Sequence, residues 1–396
     1  MRLIAGRTIS QLGDGVYDIA MLWVVTHLLR APWSVAAVIV VGNLVSTLIV
    51  PLGGHVADRK IGRRKDIAAI ADLGAFVLFG VAALLWRHLN TGAAYAALLA
   101  LTGLTSVSVG FLFPSVGALF ASLLDDESRQ QANSLYQAAT SAASLGGMLL
   151  GGVLVAALSF QTILWLDAVS FGLGCLLTLS VRQPILNATP ADGAADSSAG
   201  WRKMLRSRTV RLLIGTNVAL NGVLIIVMSL LPFFVVRVLR AGALVLGATQ
   251  AVFSAGLIVG GIGSRWLRGS QAVQFALGFG VLVFCVLVVG VWPQVLVTEI
   301  AILLAAIAAS VLSVSIMTWS QRVVPPEQYG KLLASSSVVT TVAQPALAAL
   351  AGVAAAVVGV PLVFVFSAVL TALGGSAIVK GMVRERTAAE QTAPWA

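Results

Sequence analysis

The chain has 396 residues, of which 59% are hydrophobic and only 10% charged, and its mean hydropathy is +0.98. A water-soluble domain of this length does not carry that much apolar surface, so the solvent must be a bilayer. The 25 Lys and Arg outnumber the 15 Asp and Glu, giving a net charge of +10 that raises nucleic acid as a partner until the charges are placed along the chain.

A helical span needs about 20 apolar residues, so the length accommodates about a dozen. Long unbroken apolar runs such as Ala243 to Gly263 exclude a barrel of short alternating strands. The expected fold is an all-α membrane protein of about twelve transmembrane helices in two pseudo-symmetric six-helix bundles. Met1 to Arg30 has acids in its middle and no small-residue cleavage site, so it reads as a retained first span. Further spans are expected near Ser34 to Ala57, Ile67 to Trp86, Gly92 to Pro114, Gln131 to Ala157 and Thr162 to Ser180. The second six fall near Arg211 to Val235, Leu244 to Ser264, Val273 to Val291, Val295 to Thr318, Leu332 to Val358 and Pro361 to Val379. The expected domains are therefore 1–180, a cytoplasmic linker 181–209, a second bundle 210–382 and a cytoplasmic tail 383–396.

With the amino terminus inside, 21 of the 25 Lys and Arg fall on the cytoplasmic side. Only Arg30, Arg87, Arg237 and Arg240 fall outside. That is the positive-inside pattern of a twelve-span chain with both termini in the cytoplasm of a cell (inner) membrane. It accounts for the net charge without nucleic acid. The halves also echo one another: Leu124 to Gly152 and Val324 to Gly352 each run from an acidic turn into a small-residue helix, with Glu127 and Glu327 offset by 200 residues. Two repeats about a midplane site are a device for alternating access.

Cys175 and Cys285 each lie in an apolar run, and His27, His55 and His88 are scattered, so no disulfide, metal site or cofactor is expected. Neither a phosphate-binding loop nor a hydrolytic triad is spaced along the chain, which argues against an enzyme. The acids inside the spans are more informative, because a carboxylate in hydrocarbon is costly and faces a cavity or a partner. Asp14 and Asp18 stand four residues apart on one face of the first helix, and two like charges there suit a proton carrier. They are the proton-coupling candidates. Asp72 is expected to pair with Arg63 or another loop base, while Asp167 and Glu299 read as acids near outer helix ends within reach of water.

The string Gly54-His-Val-Ala-Asp58-Arg59-Lys-Ile-Gly62-Arg63-Arg64-Lys65, between the second and third spans, resembles the signature loop of the major facilitator superfamily, with one extra residue between Arg59 and Gly62. By that resemblance Gly54, Asp58, Arg59, Gly62, Arg63 and Arg64 form a conformational latch, with Asp58 facing the start of the eleventh helix near Gly330 to Ser335. A helix amino terminus attracts a carboxylate, which gives that contact a physical basis. Gly146-Gly147-Met148-Leu-Leu-Gly151-Gly152 is similar to the fifth-span motif of proton-driven exporters, with Met148 in place of proline; Gly147, Gly151 and Gly152 are its packing glycines. The opening Ile9-Ser-Gln11-Leu-Gly13-Asp14-Gly15 resembles the subgroup of macrolide (drug) and siderophore exporters.

The resemblance implies a secondary active transporter exchanging protons for a small molecule, with membrane lipids around a monomer. It also places Trp23, Phe111, Asn217, Asn221, Met228, Ser315 and Trp319 along a central cavity. That apolar and aromatic mix suits a lipophilic or amphipathic solute better than a sugar. The alternative reading is a lipid or lysophospholipid transporter of the same fold.

Overall fold

The computed structural model describes residues 2–59, 64–123, 126–181, 208–264, 271–323 and 326–392. Among them are twelve long helices and no strand. The first six are α1 (Arg2–Leu28), α2 (Pro32–Arg59), α3 (Arg64–Leu85), α4 (Thr91–Leu123), α5 (Asp126–Ala157) and α6 (Phe160–Leu179). The second six are α7 (Arg208–Phe233), α8 (Ala243–Gly263), α9 (Gln271–Val291), α10 (Val295–Val323), α11 (Pro326–Val358) and α12 (Val360–Thr392). Ten are long and apolar enough to cross a membrane. The other two are more polar: α1 carries Arg7, Asp14 and Asp18, and the apolar part of α11 is Ala343–Val358. Large side chains such as Val357, Leu296 and Leu370 stand exposed on the helix surfaces, as they do where lipid tails are the neighbours.

Local chemistry sets the helix ends. Asn90 accepts the Ala93 N–H through its side chain at the start of α4, and Ser159 accepts the Thr162 N–H at the start of α6. The carbonyls at the far end of α6 receive cations, Arg2 at Ser180 and Lys65 at Leu179, which suits the negative end of a helix dipole. Arg30 and Arg240, each in a Leu-Arg-Ala run, take left-handed φ values of 53° and 52°. The corresponding turns of the two halves thus each place an arginine, not a glycine, at the left-handed position.

Two expected helix ends lie further on than the composition indicated. The helix α4 runs through Pro114 to Leu123. Pro114 deprives the Gly110 carbonyl of its helical donor. Gly53 of α2 lies directly against that carbonyl, and Ser115 Oγ donates to the Phe111 carbonyl at 2.8 Å, so the break is absorbed. The helix α12 continues to Thr392 rather than stopping near Val379, because a helix of Ala, Glu, Lys and Arg needs no apolar partner to persist beyond the span.

The chain divides into two compact units: Met1–Asp192 with Val235–Ala251, and Gly193–Phe234 with Val252–Ala396. In the first, α1 packs on α5 and α6, α3 on α4 and α6, and α2 on α4. In the second, α7 packs on α11 and α12, α9 on α10 and α12, and Gly256 and Gly260 of α8 admit α10. Each of these neighbour pairs of the first unit recurs six helices later in the second. The crossing from one unit into the other falls beside Pro232, where α7 gives way to a π-helical turn at Phe234–Val238.

Candidate functional site

The first unit holds a polar seam where α1 meets α6 and α3. Arg7, Ser10, Asp14, Tyr17 and Asp18 recur at helical spacing on α1. Arg7 Nη2 donates to Asp72 Oδ2 of α3 at 2.5 Å, with both side chains buried. Gly174 of α6 makes room for that guanidinium: a Cβ there would lie 2.8 Å from Arg7 Nη2 and 2.6 Å from Ser10 Oγ. Asp72 therefore takes its partner from the first helix and not from the loop. Hydrocarbon rewards the nearer, fully enclosed cation, since a buried charge needs its counter-charge in contact.

One turn on, Ser10 Oγ donates to the Ser170 carbonyl at 3.3 Å, and Ser170 Oγ donates to Asp167 Oδ1 at 3.1 Å. Asp167 is 1% exposed, and its Oδ2 has no hydrogen-bond partner. This corrects the expectation of a water-reaching acid at a helix end. Asp167 faces inward because Gly13 lets α6 close on α1, so that a Cβ at Gly13 would lie 2.5 Å from Asp167 Oδ1.

On the other side of Asp14, Gly15 meets Gly147 of α5, where a Cβ would lie 3.1 Å from the Gly147 Cα. Gly151 is equally tight against Val16 and Ile19, and Gly152 meets Ala243 and Leu244. The glycine patch is thus a contact surface at backbone distance for α1 and for the beginning of α8. In Gly13-Asp14-Gly15 the two glycines bring α6 and α5 close on either side of one acid.

Asp14 is half-buried and Asp18 exposed, and neither accepts a hydrogen bond from a described residue. The charges around Asp14 are Asp18, Arg7 and Asp72, and the one cation in that set is already bonded to Asp72. Tyr17, between the two acids in sequence, is buried, with its ring edge-on to Phe79 at 4.7 Å and its hydroxyl toward Thr102 of α4. Among the described residues no group of three or more His, Cys, Asp and Glu is placed to hold a metal ion.

The second unit has different chemistry. Asn221 Nδ2 donates to the Asn217 carbonyl at 2.9 Å and to Asn217 Oδ1 at 2.5 Å, and Gln344 Nε2 of α11 reaches Asn221 Oδ1 at 3.4 Å. Leu224 and Met228 continue the Asn217–Asn221 stripe of α7 into an apolar pocket, completed by residues such as Phe253, Cys285, Ala305 and Phe364. Ser315 donates to Gln274 Oε1 at 3.1 Å. Trp319 is 6% exposed and packs edge-on to Phe275. Phe111 in the first unit is half-buried against the cluster that contains Leu112, Val116 and Ala68. Trp23 is half-buried and stacks on His27 with ring centres 4.3 Å apart.

Of the latch residues, Gly62 and Arg63 lie outside the described residues, as do the side chains of Asp58, Arg59 and 330–335. Gly54 has open space beside it. Gln344, Gln274 and the Arg7–Asp72 pair escaped the sequence reading. By position Arg7 reads as a cytoplasmic base, while its spacing of seven from Asp14 places both on one helical face.

The Major Facilitator Superfamily model matches residues 3–333. The MFS-type transporter YfiS of Bacillus subtilis (strain 168) is 26% identical over 181 residues, a match spanning 45% of this chain and 40% of that relative. A bacterial homologue of the iron transporter ferroportin, in its inward-facing state, superposes with a TM-score of 0.74 at 17% identity over 96% of this chain and 98% of its own. A POT family peptide transporter gives 0.73 at 12%, covering 97% of each chain, and the nucleoside transporter NupG gives 0.71 at 11%, covering 96% of this chain and 98% of its own. Those three share a fold while differing in cargo, so the fold leaves the solute open. With a family match across most of its length and helices suited to repeated membrane crossing, this multi-pass chain is a transporter, not an enzyme, and belongs to the major facilitator superfamily.

Proposed function

We propose that this transporter is a proton-coupled antiporter that exports a lipophilic or amphipathic small molecule by alternating access, in the manner of the drug (macrolide) and siderophore exporters. The observation that carries this reading is the pair Asp14 and Asp18 on one face of α1, Asp14 between two close helix contacts and neither acid in an ion pair among the described residues. An acid in that position marks an ion or proton path. The amides of Asn217 and Asn221, continued by the apolar Leu224 and Met228 along the same face of α7, support a largely hydrocarbon solute with a few polar points. The 21 to 4 division of basic residues supports a cytoplasmic membrane with both termini inside.

The test is proton movement in proteoliposomes carrying a pH-sensitive dye, with erythromycin and other lipophilic antibiotics added in turn. Antibiotic-driven proton movement in the wild type, lost in Asp18→Asn and reduced in Asp14→Asn, is the expected result. Full coupling in both variants overturns the assignment of the acids. A correctly inserted protein that moves no protons with any antibiotic, yet flips a fluorescent lysophospholipid, overturns the export reading in favour of lipid transport.

A further inference from the structure

The acid that the transport reading leaves unused is Asp167. It comes from α6, at a depth where sequence alone put it near water, and it is instead among the most enclosed acids of the first unit. Ser170 supplies its single hydrogen bond, to Oδ1; Oδ2 has none. The charged and titratable groups that face it are Asp14, Asp18 and Tyr17 of α1, with Arg7 and Asp72 further along the seam locked in their own ion pair. No described Lys or Arg is left to balance Asp167.

A carboxylate with one hydroxyl donor, an orphan oxygen and two other carboxylates nearby is too poorly solvated for hydrocarbon in its ionised form. Asp72 also has one oxygen without a hydrogen-bond partner but holds Arg7 on the other, whereas Asp167 has no cation among the described residues. The second, independent mark is the contact at Gly13: a Cβ there would lie 2.5 Å from Asp167 Oδ1, which sets the enclosed carboxyl against the turn of α1 that carries Asp14.

We propose that Asp167 is a second proton-binding carboxyl of the transport cycle, exchanging a proton with the Asp14–Asp18 pair across the α1–α6 contact. In the exchange an O–H bond on Asp14 breaks and one on Asp167 forms, and the negative charge passes from Asp167 to Asp14; no electron is transferred. Asp18, exposed, is the station that meets water or solute, and Asp167 is the enclosed one. The seam then keeps one of its carboxyls neutral while the exposed one empties. This inference rests on the proton-coupled reading above.

Asp167→Asn is the deciding variant, because the amide keeps the size of the side chain and the acceptor for Ser170 but binds no exchangeable proton. Two readouts are made on the full-length protein. Infrared difference spectra between acidic and alkaline buffer need no solute: the wild type is expected to show a protonated-carboxyl stretch that Asp167→Asn removes. In proteoliposomes, erythromycin-driven proton movement is expected to fall about ten-fold in Asp167→Asn, the equivalent of about 1.4 kcal/mol. Erythromycin binding in acidic buffer should stay within about two-fold of wild type.

Should Asp167→Asn not fold, Ser170→Ala leaves the acid in place and withdraws its one donor; a shifted carboxyl stretch is then expected, and an unchanged one overturns the proposal. A wild type that couples and an Asp167→Asn variant that couples equally, with the same carboxyl spectrum, leaves Asp167 a packing residue and overturns the proposal alone. A wild type showing no solute-driven proton movement overturns the coupling reading on which it rests.

Discussion

The two units repeat one pattern of helix neighbours but carry opposite chemistry. The first has Arg7, Asp14, Asp18, Asp72 and Asp167 within its helix seams, whereas Glu299 is the one spanning acid among the described side chains of the second. Where the first places charge, the second places the amides of Asn217, Asn221 and Gln344 and then an apolar pocket. A duplicated scaffold has no need to duplicate its polar groups, because helix contacts are made by small and apolar residues that leave other positions free. Buried charge is concentrated in one unit, and amides beside apolar side chains in the other.

The comparison breaks most readily at the ion pair. Arg7→Ala leaves Asp72 enclosed without a counter-charge, and a loss of about 3–5 kcal/mol is expected, read as a lower thermal transition in detergent. The double replacement Arg7→Leu with Asp72→Leu should recover much of that loss, since neither charge is then stranded. No recovery would mean that the pair is not an isolated unit within the seam.

Next in size is the glycine contact. Gly147→Leu forces α5 off α1 at Gly15 and Leu12 and is expected to cost about 1–3 kcal/mol. Gly280→Leu on α9, with open space around it, should stay within about 0.5 kcal/mol of wild type. Equal effects at the two glycines would remove the case for a specific close approach.

The division between the units is sharpened by overfilling the apolar void of the second. Ala305→Phe is expected to cost about 1–3 kcal/mol in thermal stability while the number of protons exchanged per solute stays as in wild type. A changed proton number would show that the two chemistries are not separate. The smallest effect is expected at a helix end: Ser159→Ala removes the cap of α6 and should cost about 1 kcal/mol, seen as a slight drop in the thermal transition.

Much of this protein was legible in its sequence. Apolar runs of spanning length, the one-sided distribution of Lys and Arg, and the motifs at Gly54–Lys65 and Gly146–Gly152 point to twelve helices in a superfamily transporter, because hydrocarbon thickness and membrane orientation act on each segment by itself. The acids Asp14 and Asp18 were legible for the same reason: a charge within an apolar run stands out wherever the run packs.

The partners of those acids were not legible. That Asp72 binds Arg7 and not a loop base, that Asp167 turns inward instead of reaching for water, and that Gln344 joins Asn221 all depend on which helix faces touch. Periodicity gives the angle of a residue around its own helix but not the neighbour opposite, and in an almost wholly apolar helix the burial pattern that would mark the inward face is nearly absent. Small residues such as Gly13 and Gly174 bring the helices within reach, and only the packed structure shows which polar side chain fills the space each one leaves.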